Sequence, residues 1–171
     1  LRAAAIRHIF GYGCGSNFRS EQERINRSEN AMRLERTVYT PRTPAETFTY
    51  LADFTNTNEW DPGTVSTTRT SGDGGVGSTY RNISQFLGRK TELTYTTVIL
   101  RPDEFVELMG ENKTLVAHDQ MTITSEGSGS RVDYVAEFEF KGLTKFFAPL
   151  LRPAFNKLGD EAQKGMTQAL R

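Results

Sequence analysis

The chain has 171 residues, 36% of them hydrophobic, enough for one domain with a real core plus an appendage but short for two. Its 21 Lys and Arg balance 21 Asp and Glu, so no net field favours a nucleic acid or an anionic membrane. The single cysteine, Cys14, excludes an internal disulfide, and two histidines, His8 and His118, exclude a His-rich metal site. No window approaches the ~18 consecutive apolar residues of a membrane span. The expectation is a soluble cytoplasmic protein without metal or cofactor, and without nucleic-acid partners or stable membrane insertion.

Residues 1–14 include small apolar residues, but Arg7, His8 and several glycines interrupt any signal-peptide core. Residues 16–33 are mostly polar, with Ile25 and Met32 nearly the only aliphatic anchors. The chain does not begin with Met, so residues 1–33 are expected to be a poorly patterned N-terminal extension and residues 34–171 the folded domain. Residues 34–40 carry the β-branched and aromatic content of a strand, ended by Pro41 and Pro44. Thr43 then caps a short helix, with Pro44 in its first turn and Glu46 completing a capping box. Phe48, Leu51 and Ala52 form its apolar side, and residues 56–62 carry the chain out.

An unbroken β region follows. Strands are expected at 65–70, 78–87, 89–100, 104–109, 115–124 and 131–141, separated by turns at the Gly-rich 71–77, Gly88, 101–103, 111–113 and 126–130. Short polar turns make consecutive strands antiparallel neighbours, and the first strand brings the count to seven. From 143 to 170 the apolar residues recur at a helical period through Leu143, Phe147, Leu151, Ala154, Leu158, Ala162 and Met166. That stripe needs a large apolar partner, and the partner available is one curved sheet. A long helix lying across a curved sheet encloses a cavity.

Alternation assigns the faces. In the last strand Val132, Tyr134, Ala136, Phe138 and Phe140 share one side, opposed by Arg131, Asp133, Glu137 and Glu139. In the strand before it Asp119 shares a face with Leu115, Ala117, Met121 and Ile123, while His118 falls on the outer register as a solvated edge residue. In the fourth strand Leu93, Tyr95, Thr97 and Ile99 point inward. A carboxylate on an apolar face is desolvated, which raises its pKa toward a general acid or base role. Asp119 equally suits a structural acceptor for a tyrosine or arginine. The glycine cluster at 72–77 lacks the Lys and Ser/Thr of a phosphate loop and reads as a flexible hairpin able to gate a cavity mouth.

The order strand, two short helices, six strands and long C-terminal helix resembles the α+β helix-grip fold of the START-like (SRPBCC) superfamily, which includes birch-pollen-allergen-like proteins and polyketide cyclases. Arg36-Thr-Val-Tyr-Thr-Pro41, Ala45-Glu-Thr-Phe48, Asn58-Glu-Trp60-Asp-Pro62 and Val76-Gly-Ser-Thr-Tyr80 look like the opening of its polyketide cyclase/dehydrase and lipid-transport branch. Phe86-Leu-Gly-Arg89, Glu92-Leu-Thr-Tyr95 and Arg131-Val132 extend the likeness. The resemblance implies a seven-stranded curved antiparallel sheet wrapped around the long helix, with a deep cavity between them. It implies pocket positions at Tyr80, Tyr95, Asp119, Met121, Tyr134 and Phe138 on the sheet, and at Phe147, Leu151 and Phe155 on the helix. Trp60 is expected to plug one end, with Asp61 capping the turn before Pro62. The tyrosine hydroxyls would meet a ligand carbonyl or simply pack at the cavity edge.

The absence of a Ser/His/Asp set, a paired-carboxylate motif or a metal cluster favours binding over catalysis. The expected function is therefore binding or transport of a hydrophobic small molecule, such as a lipid, fatty acid, isoprenoid or polyketide-like compound. One alternative is a cyclase or dehydratase using Asp119 and a pocket tyrosine. Another is an interaction protein whose cavity is filled by its own aromatics, Phe138, Phe140, Phe146, Phe147 and Phe155.

Overall fold

Period-two alternation of buried and exposed residues carries through most of the strands. In the computed structural model, which describes residues 32–142 and 148–171, the order is β1 (Met32–Thr40), α1 (Pro44–Ala52), a 3-10 turn (Phe54–Asn56), α2 (Thr57–Trp60), β2 (Thr64–Ser71), β3 (Thr79–Phe86), β4 (Arg89–Arg101), β5 (Phe105–Glu111), β6 (Leu115–Glu126), β7 (Gly129–Phe140) and α3 (Ala148–Ala169). The strands form one antiparallel sheet in the order β1-β7-β6-β5-β4-β3-β2. This is the expected helix-grip arrangement. Residues 1–31 of the expected N-terminal extension, and the start of the C-terminal helix at 143–147 with Phe146 and Phe147, lie outside the described residues, while Met32 and Arg33, expected in that extension, open β1 opposite Phe138 and Glu137.

The local signals explain the elements. The Thr43 side chain accepts from the Glu46 backbone while the Glu46 carboxylate accepts from the Thr43 backbone, the reciprocal box the sequence spells. Asp53 caps the 3-10 turn, its carboxylate accepting from Thr55 N at 3.1 Å. Residues 56–62 are too short to show a helical period, yet they hold α2, the second of the two short helices that the family resemblance implies. Leu87 and Gly88 both have positive φ, 49° and 77°, and make the two-residue turn between β3 and β4 whose twist matches antiparallel strands. β5 runs on through Gly110 to Glu111, where the sequence suggests an end at Met109.

Helix α3 does not cover the sheet evenly. It packs along β1 on one side and α2 on the other. Arg36 Nε donates to Asp160 and Gln163 Nε2 to the Thr37 carbonyl, at 3.0 and 2.6 Å. At its C-terminal end the carbonyls a helix leaves unpaired accept from Thr40 Oγ1, at Leu170, and from Arg42 Nη2, at Ala169. Gly165 permits the closest approach, since a Cβ there would overlap the Trp60 carbonyl oxygen. Beneath this end the core is filled by Val38, Leu51, Leu108, Ile123, Met166 and Leu170, each no more than 3% exposed. A second apolar cluster gathers Met32, Leu34, Ala136 and Phe155 under the N-terminal half of α3. That half is hollow.

Candidate functional site

The hollow is a cavity of about 300 Å³. One wall is aromatic: Phe155 of α3 stacks against Phe86, Phe138 and Phe140 at 4.4, 4.9 and 5.9 Å between ring centres. Leu34, Leu93, Leu115, Leu151 and Leu158 continue the apolar lining. The inner end, toward the filled core, is closed by Phe54 and Trp60, with Tyr95, Asp119, Tyr134 and Asp61 around them.

The register explains how three strands deliver one polar cluster. On β7, Tyr134 lies opposite Met121 and Ala136 lies opposite Asp119, so the small Ala136 leaves the carboxylate free for the diagonal tyrosine. Tyr134 donates its hydroxyl to Asp119 Oδ1 at 2.6 Å, while its ring meets the edge of Trp60 at 5.7 Å. Tyr95 lies on β4, two strands from β6. Its neighbour on β5 is Gly110, whose own partner on β6 is Ala117. A Cβ on Gly110 would stand 2.5 Å from the Tyr95 ring, so the missing side chain lets that ring lie across β5 and brings its hydroxyl toward Asp119.

Burial sets the electrostatics. Desolvation pushes the Asp119 carboxyl up to about 6, against the pull of the Tyr134 and Tyr95 hydrogen bonds. Asp61 adds to the rise and His118 opposes it. Asp61 is itself raised by burial, partly offset by the donors of Thr64 and Gly63. Both tyrosines are pushed well above the ordinary phenol value by burial and then by the Asp119 charge. Two carboxyls therefore share the cavity where the sequence points to one. Asp61 does cap its turn, accepting from Gly63 N at 3.0 Å and Thr64 Oγ1 at 2.8 Å. The same residue also lines the cavity, which the Trp-Asp-Pro motif marks only as a turn.

Of the ten residues expected in a pocket, Trp60, Tyr95, Asp119, Tyr134, Phe138, Leu151 and Phe155 line this cavity. Phe147 lies outside the described residues. Tyr80 and Met121 share the inward face but sit in the filled half, which corrects their expected place in the wall. Tyr80 is fully buried under the Phe54 ring at 5.5 Å, and Met121 lies two residues beyond Asp119, packed at 1% exposure. The Gly-rich hairpin is also misplaced as a gate: it joins the ends of β2 and β3 at Ser71 and Thr79, whereas the cavity borders Thr64 and Ser84 at the other ends. His118 is on the outer face as expected, but largely buried rather than solvated, its Nδ1 3.7 Å from Glu107. Sequence alternation missed Asn82, Ser84 and Thr64, polar inward residues of strands whose pattern is weak.

Among the described residues no group of three or more His, Cys, Asp or Glu is placed to hold a metal ion, and no helix is long and apolar enough to cross a membrane. Sheet, gripping helix and hollow inner face define a helix-grip protein of the START-like superfamily. More narrowly, the chain belongs to the polyketide cyclase/dehydrase and lipid transport family, whose sequence model matches residues 31–171. The solved structures it resembles include the Zhui aromatase/cyclase from Streptomyces sp. R1128, with 11% identity, TM-score 0.68, and coverage of 82% of this chain and 93% of that one. A START superfamily protein from Mycobacterium smegmatis matches at 11% identity and TM-score 0.66, over 81% of this chain and 96% of that one. TTHA0849 from Thermus thermophilus matches at 15% identity and TM-score 0.66, over 82% and 96%. At such identities the likeness shows the shared fold. No curated protein matches the chain in sequence.

Proposed function

We propose that residues 34–171 form a domain that binds, and carries or senses, a hydrophobic small molecule between the sheet and α3, in the cytoplasm. One observation carries this: the aromatic cluster of Phe86, Phe138, Phe140 and Phe155 leaves about 300 Å³ open beside it, walled by apolar side chains with polar groups gathered at one end. That is the composition of a small-molecule site. The volume lies at the low end of the ~300–1,000 Å³ range of such sites, which favours a compact ring system or short chain over a long lipid. Burying roughly 200 Å² of apolar ligand surface would contribute about 5 kcal/mol before the costs of association.

Native mass spectrometry after mild purification tests the proposal, together with titration of Trp60 emission by Nile red. Trp60 is the chain's single tryptophan and lines the cavity, so occupancy should change its fluorescence. No adduct and no saturable change would refute it.

A second reading is a cyclase or dehydratase-type enzyme, favoured by a carboxyl near neutral pKa held by two tyrosines inside the cavity. An aromatase/cyclase among the structural neighbours agrees with it. Asp119 would act as the base and the tyrosines would position it. Asp119→Asn should then abolish turnover of a polyketide-like substrate and leave binding intact, whereas an unchanged rate removes Asp119 from the mechanism.

A further inference from the structure

We propose that the inner end of the cavity recognises a neutral carbonyl oxygen of the ligand, that of a ketone, quinone or ester, through the indole N–H of Trp60. This rests on the small-molecule binding proposed above and names the polar group that the ligand brings to the buried end.

The indole carries one polar atom, Nε1, and it can only donate. None of the described residues accepts its proton. Polar side-chain atoms sealed in the core without a partner do occur nearby, at Tyr80 Oη and Thr97 Oγ1, but Trp60 Nε1 is not among the sealed ones. It therefore touches open space. The residue as a whole is only 4% exposed and it lines the cavity, so the space against the N–H is the cavity itself.

The donor is also held in place. Its ring meets that of Tyr134 edge to face at 5.7 Å, and its backbone carbonyl lies so close to Gly165 of α3 that a Cβ there would overlap it. A group fixed before the ligand arrives loses little freedom on binding.

Neighbouring hydroxyls are less available. Tyr134 has given its proton to Asp119 at 2.6 Å and Thr64 to Asp61 at 2.8 Å, while Tyr95 turns its hydroxyl toward the Asp119 charge. Gln85 and Thr91 bring further donors to the lining, but they sit near the tip of the β3–β4 hairpin, and Gln85 is exposed. Water competes for a bond there, whereas a donor in a desolvated wall discriminates between a ligand that offers an acceptor and one that does not. Asp119 and Asp61 share the inner end, so an acceptor with its own negative charge meets repulsion that a carbonyl escapes.

The experiment compares indane with 1-indanone, bicyclic compounds of similar size that differ by one carbonyl oxygen, each competing with Nile red and followed through the dye's own emission. Trp60→Phe keeps an aromatic ring and removes the N–H. It should weaken 1-indanone about three- to tenfold more than it weakens indane, the scale of one neutral hydrogen bond. Equal losses for the two compounds, or no loss for either, overturn the inference. A measurement on the unaltered protein decides if the variant does not fold. Trp60 is the only tryptophan, so a nitrogen-15-labelled sample gives one indole N–H resonance, and saturating 1-indanone should move its proton further downfield than indane does. Equal shifts overturn the inference. Saturable Nile red binding that 1-indanone cannot displace also overturns it and leaves the binding function standing, whereas no dye binding and no adduct in native mass spectrometry refute both.

Discussion

Replacing Asp119 with Asn separates the cost of a buried charge from the value of its hydrogen bonds. Burial carries the carboxyl from 3.8 to about 6, which at 1.36 kcal/mol for each pH unit makes the ionised form cost the fold about 3 kcal/mol relative to the protonated one. Because the pKa is raised in the folded state, this stability is fully present below 3.8 and is lost as pH rises through 6. The asparagine variant cannot ionise. Its stability relative to wild type should therefore climb by about 3 kcal/mol between roughly pH 3.5 and 7.5. The offset at low pH reflects the altered bonds to Tyr134 and Tyr95, about 1 kcal/mol each. Urea denaturation followed by far-UV circular dichroism at a series of pH values gives both quantities. Taking the difference between the two proteins cancels most other carboxyls. The repulsion between Asp61 and Asp119 does not cancel, but it is already part of the rise to about 6, since the Asp61 charge helps raise Asp119. A difference that stays flat with pH, or falls as pH rises, would refute the argument that Asp119 is held desolvated.

Three further substitutions probe the packing. Gly110→Ala places a methyl 2.5 Å from the Tyr95 ring and should cost about 1–3 kcal/mol as the ring is forced aside; an unchanged urea midpoint would show that the ring does not lie over β5. Gly165→Ala should raise intrinsic helicity by about 1 kcal/mol, yet the overlap with the Trp60 carbonyl is expected to make the variant less stable in thermal denaturation, and a gain would contradict the close seat of α3 on α2. Phe155→Ala removes the ring shared by Phe86, Phe138 and Phe140 and should cost about 3–5 kcal/mol. It should also admit bulkier apolar probes in Trp60 titrations, and an unchanged probe range would place Phe155 outside the wall.

Much of the architecture is legible in the chain because its causes are local. The Thr43 and Glu46 box, the turn at Gly88, and the alternation that turns Asp119 and Tyr134 inward each follow from a few neighbouring residues. Position along the groove is less legible. Alternation gives the face of a residue but not its depth, so Tyr80 and Met121 share a side with Tyr95 and Asp119 and yet fall in the filled half. Depth is set by where α3 is seated, and that depends on Gly165 meeting Trp60 from 105 residues away in the chain.

The polarity of the site was hidden for a related reason. A tyrosine read alone is a donor, and three inward tyrosines suggest a surface ready to bind a carbonyl. Whether the proton is still available depends on what lies within reach across the sheet. Tyr95 reaches Asp119 only because the intervening strand carries Gly110 at the crossing point. In sequence that glycine looks like the end of a strand after Met109, since glycine weakens strands and marks turns. Here the strand continues through it to Glu111. The residue that most resembles an interruption is the one that lets the Tyr95 ring of β4 lie over β5 toward the Asp119 carboxyl of β6.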